Sequence, residues 1–466
     1  VAVSPSRELP PDHDVRRARL SESLRNGLWF VPAVCVAGAM ALAWVLHLVD
    51  RHLADTDADP LALAFRGDAS SAQQVLSTVA SSTMTFTGLV FSITVVALQL
   101  ASSQFSPRVM RTFFRDRGTK LSLGVFVATF VYSLLVLRTV RPEVDGAAAF
   151  VPGVSISAAF VLVLCSLATF VYYVNHVAHS IRAVAIIESV AAETRAAIRS
   201  NHPPEPPGPP PEVPDRTPDL VLAFDHGPGA LLGVDEDDLV EVARRNRCLL
   251  RLRPVVGDFL ASGTPLFDVW ADDPAEVPTL TSRDVLGRVG VGRERTMRQD
   301  VAFGFRQLVD MAERALSPAV NDPTTAVQAL DRIHDLLRRL ASRPTPTGAH
   351  HDADGRLRLL LPVVGWEEQV GLALDEIRRY GEGSLQVQRR MRAVIDDLLT
   401  VTGPDRRAPL ERQRRLLDAA ARRAFLDDED LQPPQRAAGG ASTVGTAAAS
   451  GEPAPAPSSS ASRSSS

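Results

Sequence analysis

Lysine is almost missing from this sequence: of its 50 basic residues, Lys120 is the single lysine and the rest are arginine. One lysine at the edge of an apolar run leaves no Gly-rich phosphate loop ending in lysine. It also leaves no lysine in the polar half for a Schiff base or for a lipoyl or biotinyl arm. Cysteine is scarce as well. Cys35, Cys165 and Cys248 are the only three, two of them inside apolar runs, which argues against a disulfide framework and a cysteine-built zinc site. A strong charge of one sign is also lacking. The net charge is -4 over 466 residues, so no nucleic-acid partner is expected. No nucleophile–base pair, metal cluster or cofactor motif stands out; the expectation is a non-enzyme without cofactor or metal.

What the sequence does have is segregation. Mean hydropathy is +0.03, an average of an apolar first part and a charged remainder. Four stretches, 28–49, 75–100, 121–137 and 154–174, meet the length of about 20 apolar residues needed to cross a bilayer. The first is too long for a signal peptide, and no small-residue cleavage site follows it. Arginine sets the orientation. Arg7, Arg16, Arg17, Arg19 and Arg25 precede the first span, whereas the next loop has only Arg51 and Arg66 among several aspartates. Arg108, Arg111, Arg115, Arg117 and Lys120 fill the second loop, and only Arg138 and Arg141 the third. The alternation predicts that both termini and the large polar region are cytoplasmic.

The second span is unusually polar. At 100° per residue, Thr78, Ser81, Thr85, Gly88, Ser92, Gln99 and Ser103 fall on one stripe, opposite Val79, Phe86, Val90 and Ile93. Small and hydroxyl residues serve two ends: a close-packed helix seam, or the wall of a hydrated path in an oligomer. Ser106 and Pro107 then open a short amphipathic segment with Arg108, Arg111 and Arg115 on one side. These arginines would contact anionic headgroups or ring a pore mouth that favours anions. The fourth span predicts one unbroken rod through Asn175, His176, His179 and Arg182 to about residue 199. His176 and His179 have no evident carboxylate or third histidine, and read as a polar transition at the membrane edge.

Beyond the rod, a run from His202 to Pro211 is proline-rich and forms a stiff spacer. Strands are expected at 220–224, 248–253 and 266–270, with a short helix at 236–245. The Gly257-Asp258-Phe259 to Gly263-Thr264-Pro265-Leu266 portion looks like a hairpin of biotinyl-carrier-type barrels, without their modified lysine. Helices follow at 299–316, 322–340, 366–380, 384–401 and 410–426, with a strand near 356–364. His334, among Leu330, Ile333 and Leu337, reads as a core histidine. The chain thus divides into a segment 1–27, a four-helix transmembrane domain 28–200, a linker 201–217, a β-rich unit 218–292, a helical domain 293–431 and a disordered tail 432–466. The predicted fold class is a membrane all-α bundle of four transmembrane helices plus a cytoplasmic α+β region.

Two stretches carry a resemblance. One runs Gln99-Leu100-Ala101-Ser102-Ser103-Gln104-Phe105-Ser106-Pro107-Arg108. The other runs from Asp300-Val301-Ala302-Phe303-Gly304-Phe305-Arg306 to Ala315-Leu316-Ser317-Pro318-Ala319-Val320-Asn321-Asp322-Pro323-Thr324-Thr325-Ala326. Together they resemble a widespread family of bacterial predicted membrane proteins, catalogued as a domain of unknown function, over roughly 20–430. The resemblance implies a multi-pass protein of the bacterial cytoplasmic (inner) membrane and implies no substrate. Usual members end the fourth span with paired histidines; here Asn175 precedes His176. In the second motif Asn321, Asp322, Thr324 and Thr325 present oxygens at a helix start, which suits a tight helix corner or an anion cradle. The expected function is an oligomeric channel or channel-like transporter in the lipid bilayer, passing a small ion or anion and regulated by its cytoplasmic domain. Four spans without an internal repeat are few for a complete transporter, so a path needs several copies. The alternative is a membrane-anchored sensor or scaffold.

Overall fold

A computed structural model of the chain describes residues 29–55, 65, 67–104, 116–142, 150–180, 182–204, 211–275 and 279–425. Four long apolar helices come first: α1 (Phe30–Asp55), α2 (Ala69–Gln104), α3 (Arg117–Leu137) and α4 (Gly153–Ser180). Each is long and apolar enough to cross a bilayer. α3 is the central one: 44% of its apolar stretch is buried, against 11–22% for the other three.

Helices in lipid gain little from burying apolar surface against one another, so interhelical hydrogen bonds and close packing must hold them. Tyr132 of α3 is fully buried and donates to the Ser155 carbonyl of α4 at 2.9 Å. Tyr173 of α4, also fully buried, donates to the Val90 carbonyl of α2 at 3.0 Å and lies 2.6 Å from the Thr94 hydroxyl. Thr129 and Ser166 join α3 to α4 at 3.0 Å. At the far end of α1, buried Asp50 accepts from the Val154 and Ser155 amides at 2.9 and 3.0 Å. It thereby caps the first turn of α4 from another helix, where a negative charge also meets the helix dipole favourably.

The fourth span does not continue as the single rod expected from the sequence. α4 stops at Ser180, Arg182 takes an extended conformation (φ -64°, ψ 135°), and α5 (Ala183–Asn201) begins separately. In the last turn of α4 the His179 ring sits 2.8 Å from the Asn175 carbonyl. α5 then buries Ile186, Ile187, Val190, Ala191, Thr194, Ala197 and Ile198 in the soluble region.

That region holds two sheets and a helical bundle. The strands are β1 (Leu220–Ala223), β2 (Gly229–Val234), β3 (Cys248–Leu252), β4 (Phe259–Leu260), β5 (Pro265–Ala271), β6 (Val289–Gly292), β7 (Ala349–His351) and β8 (Leu357–Leu360). Helices α6 (Glu236–Arg245) and α7 (Ser282–Leu286) lie among them. One sheet has the order β1-β5-β3-β8-β7, antiparallel except for the parallel β3–β8 pair; the other has the order β4-β2-β6. The anticipated Gly257–Leu266 hairpin is not made. β4 pairs with β2 and β5 pairs with β1 and β3, so this segment carries the chain from one sheet to the other. Strands β7 and β8 come from within 293–431, so sheet and helices interleave in the chain.

The helical bundle comprises α5, α8 (Val301–Ala315), α9 (Pro323–Ala341), α10 (Trp366–Tyr380), α11 (Leu385–Val401) and α12 (Arg407–Ala424) around one continuous core. α8 crosses α5 closely. A Cβ on Gly304 would lie 2.1 Å from the Thr194 hydroxyl oxygen, so any larger residue forces the two helices apart. We expect Gly304→Ala to cost about 1–3 kcal/mol in thermal unfolding, the range for overpacking a core. Thr194→Ala in the same chain should recover part of that loss, because it removes the two closest atoms and leaves one at 2.8 Å.

Candidate functional site

The polar stripe of the second span lies on the outside of the bundle. Thr78, Ser81, Thr85, Gly88, Ser92, Val95 and Gln99 of α2 follow at alternating steps of three and four residues, and all are exposed. A Cβ built on Gly88 would touch nothing within 4 Å. Val79, Phe86, Val90 and Ile93, on the other side, pack inward. Val90 is buried with Phe126 and Tyr173, and Phe86 stacks on Phe170 with centroids 5.0 Å apart. α2 therefore makes its contacts within the chain through the side that carries these apolar residues together with Thr83 and Thr94, and the stripe from Thr78 to Gln99 is not covered within the chain.

From Thr78 to Gln99 the stripe runs about 32 Å at 1.5 Å per residue, close to the ~30 Å of a bilayer's hydrocarbon. The threonine hydroxyls satisfy themselves: Thr78 donates to the Gln74 carbonyl at 2.8 Å and Thr85 to the Ser81 carbonyl at 2.9 Å. Ser92 and Gln99 have no side-chain partner among the described residues. Ser103 lies further along α2. Arg108, Arg111 and Arg115 fall outside the described residues, so the interfacial segment expected there is not seen.

Where α3 begins, Asp116 caps it, accepting from Thr119 N at 2.8 Å and Gly118 N at 3.3 Å. Its other partner is His176 of α4, whose Nε2 is 2.9 Å away. His176 thus does have a carboxylate, which sequence proximity could not show. Burial alone would raise the Asp116 carboxyl; the Thr119 and His176 hydrogen bonds outweigh it and hold the carboxyl below its usual range. Lys120, one turn on, is buried. Among the described residues no group of three or more His, Cys, Asp or Glu side chains is placed to hold a metal.

Asn321, Asp322, Thr324 and Thr325 form the corner between α8 and α9. Ser317 closes the turn, its carbonyl accepting from Asn321 N at 2.8 Å, while Asp322 N donates to the Ala315 carbonyl at 2.7 Å. Asn321 takes φ +47°, a left-handed conformation that asparagine tolerates better than most residues. Asp322 caps α9: its carboxylate accepts from Thr325 N at 3.1 Å and from the Thr325 hydroxyl at 2.6 Å. Pro323 occupies the first helical turn. The bonds describe a locally satisfied corner; Thr324 and Asn321 are exposed on it.

The corner's position follows from the α5–α8 pairing. Thr194 meets Met297 and Gly304, and Asn201 donates to the Arg298 carbonyl, so α8 runs back toward the start of α5. The corner therefore lies at the end of the soluble region nearest the apolar bundle, and Leu316 and Ala183 pack on the same core. His334 is satisfied between Asp397 (2.7 Å) and Arg390 (3.0 Å).

Four apolar helices joined through α5 to a mixed-sheet and helical soluble region define a polytopic α-helical membrane protein. Over residues 25–397 the chain matches the family described as "Predicted membrane protein (DUF2254)", and it belongs to that family. It is similar to the uncharacterized proteins Rv1290c of Mycobacterium tuberculosis and Mb1321c of Mycobacterium bovis. Each is 34% identical over 429 residues, covering 89% of this chain and 80% of the relative. No solved structure matches.

The Thr325 hydrogen bond holds the Asp322 carboxyl below its ordinary value of 3.8. A depressed carboxyl stabilises the fold above that value, and the stabilisation is lost as pH falls through the lowered one. Asp322→Ala should therefore cost about 1 kcal/mol near neutrality, the usual worth of a cap. The difference from wild type should shrink toward pH ~3, and Asp322→Asn should retain most of the cap; chemical denaturation at both pH values checks this.

Proposed function

We propose that this protein is an oligomeric channel or channel-like transporter of the bacterial cytoplasmic membrane, regulated by its soluble region. In this reading both termini and the soluble region face the cytoplasm, as the arginine distribution favours, and the chain is not an enzyme. The supporting observation is the outward stripe of α2. Hydrocarbon is a poor environment for hydroxyl and amide groups, so a polar line of nearly full bilayer length needs a better neighbour than lipid. Several copies arranged about an axis supply one, with Ser81, Thr85, Gly88, Ser92, Gln99 and Ser103 turned toward a hydrated path. The alternating three-and-four spacing is the period at which helices wind around each other left-handedly, which suits α2 helices gathered about one axis. Uncharged hydroxyls bind water and ions without trapping them. Arg108, Arg111 and Arg115, just beyond α2, would favour anions at its mouth.

One observation favours a second reading. The self-satisfied hydroxyls of Thr78 and Thr85 and the bare Gly88 also suit helices in direct contact, as in a membrane-anchored scaffold or sensor. Ion flux through purified protein in liposomes separates the two. The channel reading expects flux in wild type and its loss in Ser92→Trp protein that still assembles. It also expects a membrane-impermeant thiol reagent to label cysteines placed at Ser81, Thr85, Gly88, Ser92 and Gln99, but not at their neighbours, once Cys35, Cys165 and Cys248 are replaced. No flux under varied voltage, pH and osmotic stress, with uniform protection along α2, would reject it in favour of the scaffold.

A further inference from the structure

At the far end of α5 from the apolar bundle, two arginines line one pocket, and among the described residues neither pairs with a carboxylate. His202, the C-cap of α5, is buried, and the Arg343 guanidinium donates to its carbonyl. Arg406 donates to the Arg343 carbonyl at 2.8 Å and to the Thr345 hydroxyl at 2.5 Å. Its guanidinium carbon lies 5.9 Å from the centre of the Trp366 ring, whose indole N–H donates to the Arg406 carbonyl at 2.9 Å. These residues and Gln369 line a small pocket partly open to solvent.

Four features of this pocket belong together. Among the described residues the two guanidinium groups make three hydrogen bonds, all to neutral oxygens, although each group carries five donors. Elsewhere in the same bundle arginines find carboxylates, as in Arg195–Asp335 (3.2 Å), Arg332–Glu188 (2.7 Å) and Arg390–Asp331 (2.5 Å). Gln369 is 2% exposed and its amide oxygen has no partner among the described residues; the amide oxygens of Gln307, Gln328, Gln388 and Gln413 are in the same state, and Gln369 is the one of the five that lines this pocket. His202, 6% exposed, has an unpartnered Nδ1. Burial first, and then the charges of Arg343 and Arg406, lower its pKa to about 4, so the ring is neutral at ordinary pH.

We propose that this pocket is a binding site for a small inorganic anion. Arg343 and Arg406 would supply the charge-assisted donors, and Gln369, with its amide turned nitrogen-inward, a neutral one. Trp366 and Leu340 close the apolar side. The enclosed space holds about one water-sized particle, so a halide or a similarly compact anion suits it and a nucleotide does not. A lipid headgroup is out of reach, because α5 places His202 about 28 Å along its axis from the end that joins α4. The ligand therefore comes from the aqueous phase. It would tie the last turn of α5 to the segments that follow α9 and precede α12 and to the first turn of α10. This site does not depend on the channel reading.

Neutralising the two arginines would remove the smaller part of the depression at His202, the part due to their charge, and so favour proton uptake by the ring. The charged groups facing His202 are Arg343, beyond the end of α9, and Arg406, before α12. The carboxylates at the start of α10 are turned elsewhere: Glu367 lies 3.6 Å from Arg412, and Glu368 accepts from Gly365 N at 3.2 Å. Anion binding should accordingly consume protons near pH 5 and few near pH 8.

The test uses the purified full chain in detergent, titrated with chloride, nitrate, bicarbonate or inorganic phosphate against gluconate at constant ionic strength. The expected result is a saturable rise in Tm with at least one of the four and a change in tryptophan fluorescence that Trp366→Phe removes. Arg406→Gln should weaken binding about tenfold or more. Gln369→Leu guards against misfolding. It removes an unpaired buried amide, so it should be at least as stable as wild type without anion and gain less from added anion. His202→Asn should bind without the proton uptake at pH 5. If no anion gives a saturable effect, or if Gln369→Leu and Arg406→Gln respond like wild type, the pocket is a hydrated corner and the proposal fails.

Discussion

An apolar helix face remains in water only where other apolar groups cover it, and α5 is the element on which that constraint bears most. It follows the fourth membrane helix after a single break and carries Ile186, Ile187, Val190 and Ile198 on one side. Outside lipid these side chains need a protein partner. α8 and α9 supply it, with Gly304 set against Thr194 so closely that a methyl group would not fit. Full burial of each such side chain is worth about 1.5–3 kcal/mol, so the face as a whole is a strong attachment. The rest of the soluble region is built outward from this contact. α10, α11 and α12 complete the core around α8 and α9, and β7 and β8 leave the helical bundle to join a sheet begun by β1, β3 and β5.

Within the apolar bundle the governing constraint is polar satisfaction. Tyr132, Tyr173, Thr129 and Asp50 each find a partner on a neighbouring helix. The outward stripe of α2 departs from that practice at Ser92 and Gln99, whose side chains have no partner among the described residues, while Thr78 and Thr85 bond their own helix. A helix with a good apolar side already packed inward has no need, within one chain, of a second polar side. This asymmetry is the reason to look for further copies of the chain.

The architecture was largely legible in the sequence. Runs of 20 apolar residues have few alternatives to a membrane helix, and Asp322 with Pro323 marks the start of α9. What was not legible is whatever depends on pairs distant in the chain. Asp116 and His176 are on different spans, so their contact leaves no local signature. The break at Ser180–Arg182 has no glycine or proline to announce it. The short strands β2, β6 and β7 are rich in glycine and alanine or very brief, and only their partners make them strands. The stripe itself was visible, but its direction was not: hydroxyls at helical spacing look the same whether they face a neighbour in the chain or a neighbour outside it.

The two sites proposed here lie at opposite ends of one covalent path. Tyr173 ties α4 to the backbone of α2 on the side away from the stripe, and His202 closes α5 at the proposed anion pocket. Spatial continuity of this kind transmits nothing by itself; coupling needs an element with two arrangements that both sites bias. Arg182, extended between α4 and α5, is where such an element would sit, because changes in its two dihedral angles reorient one helix against the other without breaking either. An anion at the proposed pocket would act on α4 only through that joint, so a second arrangement of Arg182 is the condition for any control of the membrane helices from the soluble region.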